Sequence, residues 1–130
     1  MPIPQPLFST AARVLFCAAL VFAVIMAILP KPLQLPTDAL GDKFHHILAF
    51  AALSTLAALG WPRASRWRTI ERLSFLGALI EVVQAIPALH RDCDIRDWVA
   101  DTVAIMVVTG IAAVLTRGRN GVVAQQDCGD

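Results

Sequence analysis

Charge is what this chain has least of. Of its 130 residues, 16% are Asp, Glu, Lys or Arg, where an ordinary soluble domain has about a quarter. The net charge of +1 leaves no basic stripe of the kind nucleic-acid binding needs, so no nucleic-acid partner is expected. There is no Gly-rich phosphate loop and no paired-cysteine zinc pattern, and no cofactor is expected. The three cysteines, Cys17, Cys93 and Cys128, are an odd and scattered set that makes no disulfide framework. What the chain does have is apolar residues: 57% of the total, with a mean hydropathy of +0.64. This balance points to a small integral membrane protein with one domain and no separate soluble module.

A helix crossing the bilayer core needs about 20 mostly apolar residues. Four runs fit, and they predict an all-α polytopic membrane protein, a bundle of four transmembrane helices. The first runs from about Thr10 to Leu29 and stops at Pro30, Pro32 and Pro36, since prolines break a helix and favour extended chain. The second runs from about Phe44 to Gly60 and stops at Gly60-Trp61-Pro62. The third covers about Thr69 to Ala88, and the fourth about Asp97 to Thr116, followed by Arg117 and Arg119. The transmembrane domain is thus expected over residues 1–118, with a short polar tail over 119–130 expected to be disordered. The first run also has the reading of a cleaved signal peptide. It is long for one, and no small-x-small cleavage pattern precedes Pro30, so a retained helix is expected.

Lys and Arg in short loops set orientation. With four spans, one side carries Arg13, Arg63, Arg66, Arg68, Arg72, Arg117 and Arg119, and the other Lys31, Lys43, Arg91 and Arg96. The richer side, with both termini, is expected to be cytoplasmic. Trp61 and Trp67 then mark the inner interface and Trp98 the outer one.

This arrangement gathers the polar residues at the outer face. Asp42, Lys43 and His46 open the second helix on one face, with Phe50 one turn deeper. Glu81 lies only about 9 Å below Pro87 at 1.5 Å per residue, and Gln84 is a turn nearer the water. Asp94, Asp97 and Asp101 are three and four apart, so they share a face if the fourth helix starts early. With Arg91, these residues can converge on one outer mouth. A carboxylate at such depth is costly and needs a partner, and His46, Arg91, Lys43 and Gln84 are candidates. Plainer readings stand beside this one. Glu81 and Gln84 can tie helices together. Asp97, taken alone, reads as a helix cap. Asp42 can cap the second helix, with Lys43 reaching to the surface. Ala49, Ala51, Ala52, Ala57 and Ala58 permit close packing.

These residues resemble the VanZ-like family of small bacterial membrane proteins. The resemblance is carried by Asp42-Lys43-x-x-His46 with Phe50 four positions on, by Glu81-x-x-Gln84, and by Arg91, Asp94 and Asp97 before the last helix. It covers about residues 33–111. Where the family usually has Asn and then Gly in the last helix, this chain has Asp101 and Ala104. The resemblance implies a multi-pass protein of the bacterial inner membrane with an envelope role, related to teicoplanin resistance in the founding members.

Several functions follow as alternatives. The outer mouth can bind or act on the headgroup of a lipid or a lipid-linked cell-wall precursor. Lys43, Arg91, Asp42, Gln84, Asp94 and Asp97 would then bind, and Glu81, His46 and Asp101 would do acid–base work. The cluster can instead be a packing device or a dock for an envelope partner. A divalent ion on His46 and the carboxylates is a third reading, although no metal ligands are assigned. The segment from Asp92 to Asp101 lacks the glycine and glutamate of a calcium loop. A transport pathway would need a homo-oligomer, since four helices are few and no internal repeat is present.

Overall fold

The computed structural model describes residues 5–30 and 41–127, with the backbone alone for residues 5, 6, 42 and 119–127. Among the described residues four α-helices form: α1 (Gln5–Ile28), α2 (Asp42–Gly60), α3 (Arg66–Gln84) and α4 (Ile95–Asp127). A 3-10 turn, Pro87–Leu89, joins α3 to α4. No strand occurs among the described residues. Three stretches are long and apolar enough to cross a membrane: Leu7–Ile28, Lys43–Gly60 and Ile95–Gly118. The α3 helix is of similar length but carries Arg66, Arg68, Glu71 and Arg72 in its first turns.

Local chemistry explains where the helices stop. α1 ends at Ile28 because Pro30 drives Leu29 out of the helical region. α2 starts after Gly41, whose φ of 89° suits glycine and strains other residues. Its last turn closes with Trp61 N–H donating to the Ala57 carbonyl at 3.0 Å, and Pro62 cannot continue it. α3 stops at Gln84, short of the expected Ala88, because Pro87 holds Ile86 extended. α4 starts at Ile95 and runs on to Asp127, so the segment expected to be a disordered tail is helical up to that residue. It contains no proline, and Gly118 and Gly121 each cost a helix only about 1 kcal/mol.

Side-chain contacts set the helix directions. Arg13, early in α1, donates from Nε to the carbonyl of Gly60 at the end of α2 at 2.7 Å. Gln84, ending α3, donates to the carbonyl of Ala27, near the end of α1, at 3.2 Å. Lys43, opening α2, bonds Asp97, opening α4. Arg66, opening α3, donates to the hydroxyl of Thr116, late in α4, at 2.6 Å. Thus α1 and α3 run one way and α2 and α4 the other. The end of α1, the start of α2, the end of α3 and the start of α4 all meet at one end of the molecule.

The burial pattern is inverted relative to a water-soluble protein. Phe50, Leu53, Leu73, Ile80 and Ile105 form a small apolar core, but Ser54, Glu81, Gln84, Asp97, Asp101 and Thr109 are buried with it. Phe22 on α1, Phe75 and Val82 on α3, and Val103 and Val114 on α4 face outwards. In lipid there is no hydrophobic drive between helices, so close approach and interhelical hydrogen bonds must hold them. Two glycines provide the approach. A Cβ on Gly60 would sit 3.0 Å from Arg13 Cγ, and one on Gly77 would sit 3.4 Å from both Phe50 and Trp98. Among the alanines expected at packing faces, Ala57 is buried but Ala52 is exposed.

Candidate functional site

The end where the four helices meet holds the site. Helical spacing puts Lys43 and His46 on one face of α2. His46 lies one turn above Phe50, which is buried against Gly77. On α4, Asp94 precedes the first turn and its Oδ1 accepts the backbone N–H of Arg96 at 2.9 Å. Asp94 is therefore the helix cap, and the expectation that Asp97 caps α4 is corrected. The helix begins earlier than its apolar run does, so Asp97 lies inside the first turn. There it is buried and paired with Lys43.

Three further contacts complete the cluster. Lys43 Nζ lies 4.0 Å from Asp94 Oδ2. His46 Nδ1 lies 3.2 Å from Asp101 Oδ2, and Asp101 has no exposed surface at all. Glu81 reaches across from α3, and its Oε2 accepts the backbone N–H of Asp94 at 3.0 Å. One ligand-capable atom each from His46, Glu81 and Asp97 lie within 4.8 Å of one another. Two carboxylate oxygens, Glu81 Oε1 and Asp101 Oδ1, are buried and take no hydrogen bond from the described residues.

The structure brings Lys43, His46, Glu81, Asp94, Asp97 and Asp101 together at this end of the molecule. Gln84 does a different job: almost fully buried, it ties α3 to the backbone of α1. Arg91 is half-buried on the α3–α4 connection. The side chain of Asp42 lies outside the described residues.

Sequence reasoning missed the support beneath the cluster. Trp98, expected in an outer aromatic belt, donates from its indole to the Ser74 carbonyl at 3.0 Å. The Ser74 and Thr102 hydroxyls bond each other at 2.9 Å. These contacts clamp α3 to α4 one turn from Asp101. The only signal in the sequence was a small polar residue in each apolar run, which many spans also carry without such a role. Cys93 was also passed over. Partial desolvation, and then the neighbouring Glu81 carboxylate, push its thiol above the ordinary value. At the opposite end a cavity of about 50 Å³ is lined by Ser54, Trp61, Arg66, Thr109 and Thr116, with room for water.

Chemically, the mouth is rich in acceptors and poor in donors. A His–Asp dyad sits beside a second carboxylate, which suits proton transfer or cation binding. Comparison with protein-family models, curated proteins and solved structures gives no match.

Proposed function

We propose that this chain is a four-span protein of the bacterial inner membrane, with both termini cytoplasmic, and that it resembles VanZ-like proteins in function as well as in motif. Its outward mouth would bind, and act by acid–base chemistry on, the headgroup of a lipid or lipid-linked cell-wall precursor. Lys43 and Arg91 would meet the headgroup phosphate, and His46, Asp101 and Glu81 would move the proton. The helix directions support the fourth crossing. If α2 and α4 both cross the bilayer from the same side, the chain must return between them, and α3 is the only helix between them. At 1.5 Å per residue it spans about 28 Å, close to the bilayer core of about 30 Å. Its outward residues Phe75, Leu79 and Val82 are apolar, as lipid contact requires.

The observation that carries the functional reading is the pair of buried carboxylate oxygens without partners among the described residues, Glu81 Oε1 and Asp101 Oδ1, beside His46. A purely structural cluster would be expected to satisfy its buried polar atoms. The test is expression of wild type, Glu81→Gln, His46→Ala and Asp97→Asn in a host lacking its own copy. Teicoplanin and envelope-stress susceptibility are scored beside membrane abundance. Normal abundance with a lost phenotype is the expected result.

One set of observations favours a second reading. Gln84 to Ala27, Glu81 to the Asp94 N–H and Lys43 to Asp97 all join different segments, as in a scaffold held by polar ties. Under that reading, abundance and phenotype fall together and no variant separates them.

A further inference from the structure

Carboxylates crowd the mouth. Among the described residues, Asp94, Asp97, Glu81 and Asp101 gather around Lys43 and His46, with Arg96 within electrostatic reach of Lys43. Glu81, Asp97 and Asp101 are buried, and Glu81 Oε1 and Asp101 Oδ1 have no hydrogen-bond partner among the described residues. Buried carboxylates persist when they are paired or coordinate a cation.

We propose that His46, Glu81 and Asp97 form the ligand set of a divalent transition-metal ion, and that Asp101 orients the His46 ring. The three ligand atoms lie within 4.8 Å of one another, and any three atoms so spaced share a point no farther than about 2.8 Å (4.8 Å divided by √3) from each. Zinc binds imidazole nitrogen and carboxylate oxygen at about 2.0–2.2 Å, so side-chain shifts of less than about 1 Å complete the site. The ligands come from α2, α3 and α4 in turn, and each is already oriented. Glu81 is held through Oε2 by the Asp94 N–H, leaving Oε1 for the ion. His46 has Asp101 behind Nδ1 at 3.2 Å, the carboxylate–histidine arrangement usual around a metal. Asp97 has two oxygens and can hold Lys43 and an ion together. A mixed imidazole and carboxylate set suits Zn²⁺ or Mn²⁺; Ca²⁺ takes six to eight oxygens, and Mg²⁺ keeps several waters.

Three protein ligands leave coordination positions open. A phosphate oxygen would fill one of them, and that single step rests on the headgroup reading above. The ion itself does not, so it is tested without lipid.

The full chain, purified in mild detergent and stripped with EDTA, is titrated with Mn²⁺ alone and followed by electron paramagnetic resonance. Zn²⁺ retention is measured separately by atomic emission after desalting. One ion per chain is expected. His46→Ala and Glu81→Gln should each weaken binding by about ten-fold or more, and Asp101→Asn by about 10–100-fold. Asp92→Asn, on the exposed connection, should leave affinity unchanged. Wild type that retains neither ion overturns the proposal, whatever the variants do. An Asp92→Asn loss equal to that of Glu81→Gln also overturns it, because binding is then a diffuse ion atmosphere. Bound metal without an envelope phenotype would refute the headgroup reading and keep the metal site; the reverse result would do the opposite.

Discussion

Separating His46 from Asp101 should cost more than most interhelical contacts in a membrane protein, and a double-mutant cycle measures it. The cycle comprises His46→Ala, Asp101→Ala and the double variant. Hydrogen bonds to charged groups contribute about 1.5–3 kcal/mol in soluble proteins. Interhelical bonds inside a membrane average only about 0.6 kcal/mol, with a maximum near 1.7, because the separated helices find other partners. The His46–Asp101 contact belongs near that maximum. Asp101 is wholly buried, the contact is 3.2 Å long, and its second oxygen has no donor among the described residues to fall back on. We therefore expect a coupling of about 1.5 kcal/mol, roughly a ten-fold change in the unfolding equilibrium. The double variant should cost that much less than the sum of the singles, since each single strands a buried polar partner. The assay is reversible SDS-driven unfolding in mixed micelles, with EDTA present so that no cation contributes. Additivity within about 0.5 kcal/mol would show that the two side chains do not act as a pair.

Other expectations come from the same geometry. Ile105 is fully buried, and Ile105→Ala in a water-soluble core would cost about 2–5 kcal/mol. In lipid the transfer contribution vanishes and only lost packing remains, so about 1–2 kcal/mol is expected in micelle unfolding; a value above about 4 would mean the core folds against water. Gly77→Ala places its Cβ at 3.4 Å from Phe50 and Trp98 and should be tolerated. Gly77→Leu should overpack the α3–α4 contact by about 1–3 kcal/mol and abolish the envelope phenotype, and a stable, active Leu variant would show that the contact does not position the mouth. A membrane-impermeant maleimide at pH 8 should label the exposed Cys93 on spheroplasts and reach Cys128 only after permeabilisation. Labelling of both from outside would refute the four-span topology.

Much of the site was legible in the sequence because its parts are rare. Acidic residues inside apolar runs are few and costly, so Glu81 and Asp101 identify themselves. Spacing of three and four then groups Lys43 with His46 and Asp97 with Asp101 on single helix faces. Helix ends were less legible. Apolar runs report where lipid would begin, whereas helices end where hydrogen bonding ends, at Pro30, Pro62 and Pro87. That difference moved the cap of α4 from Asp97 to Asp94. The Trp98 contact was illegible for a related reason: an indole at the end of an apolar run looks the same whether or not it also reaches the carbonyl of a neighbouring helix.

By itself, the sequence determined an all-helical, largely apolar chain with its acidic residues near helix ends, since both follow from local composition and a period of 3.6. Which acid meets which base was decided only in three dimensions. Lys43 could have reached out to the surface instead of meeting Asp97 and Asp94, and Gln84 could have joined the mouth instead of bracing α1. Those choices depend on the rotation and depth of each helix relative to its neighbours. They are set by the close approaches at Gly60 and Gly77 and by the Trp98–Ser74–Thr102 clamp, contacts between residues far apart in the chain that no local pattern encodes.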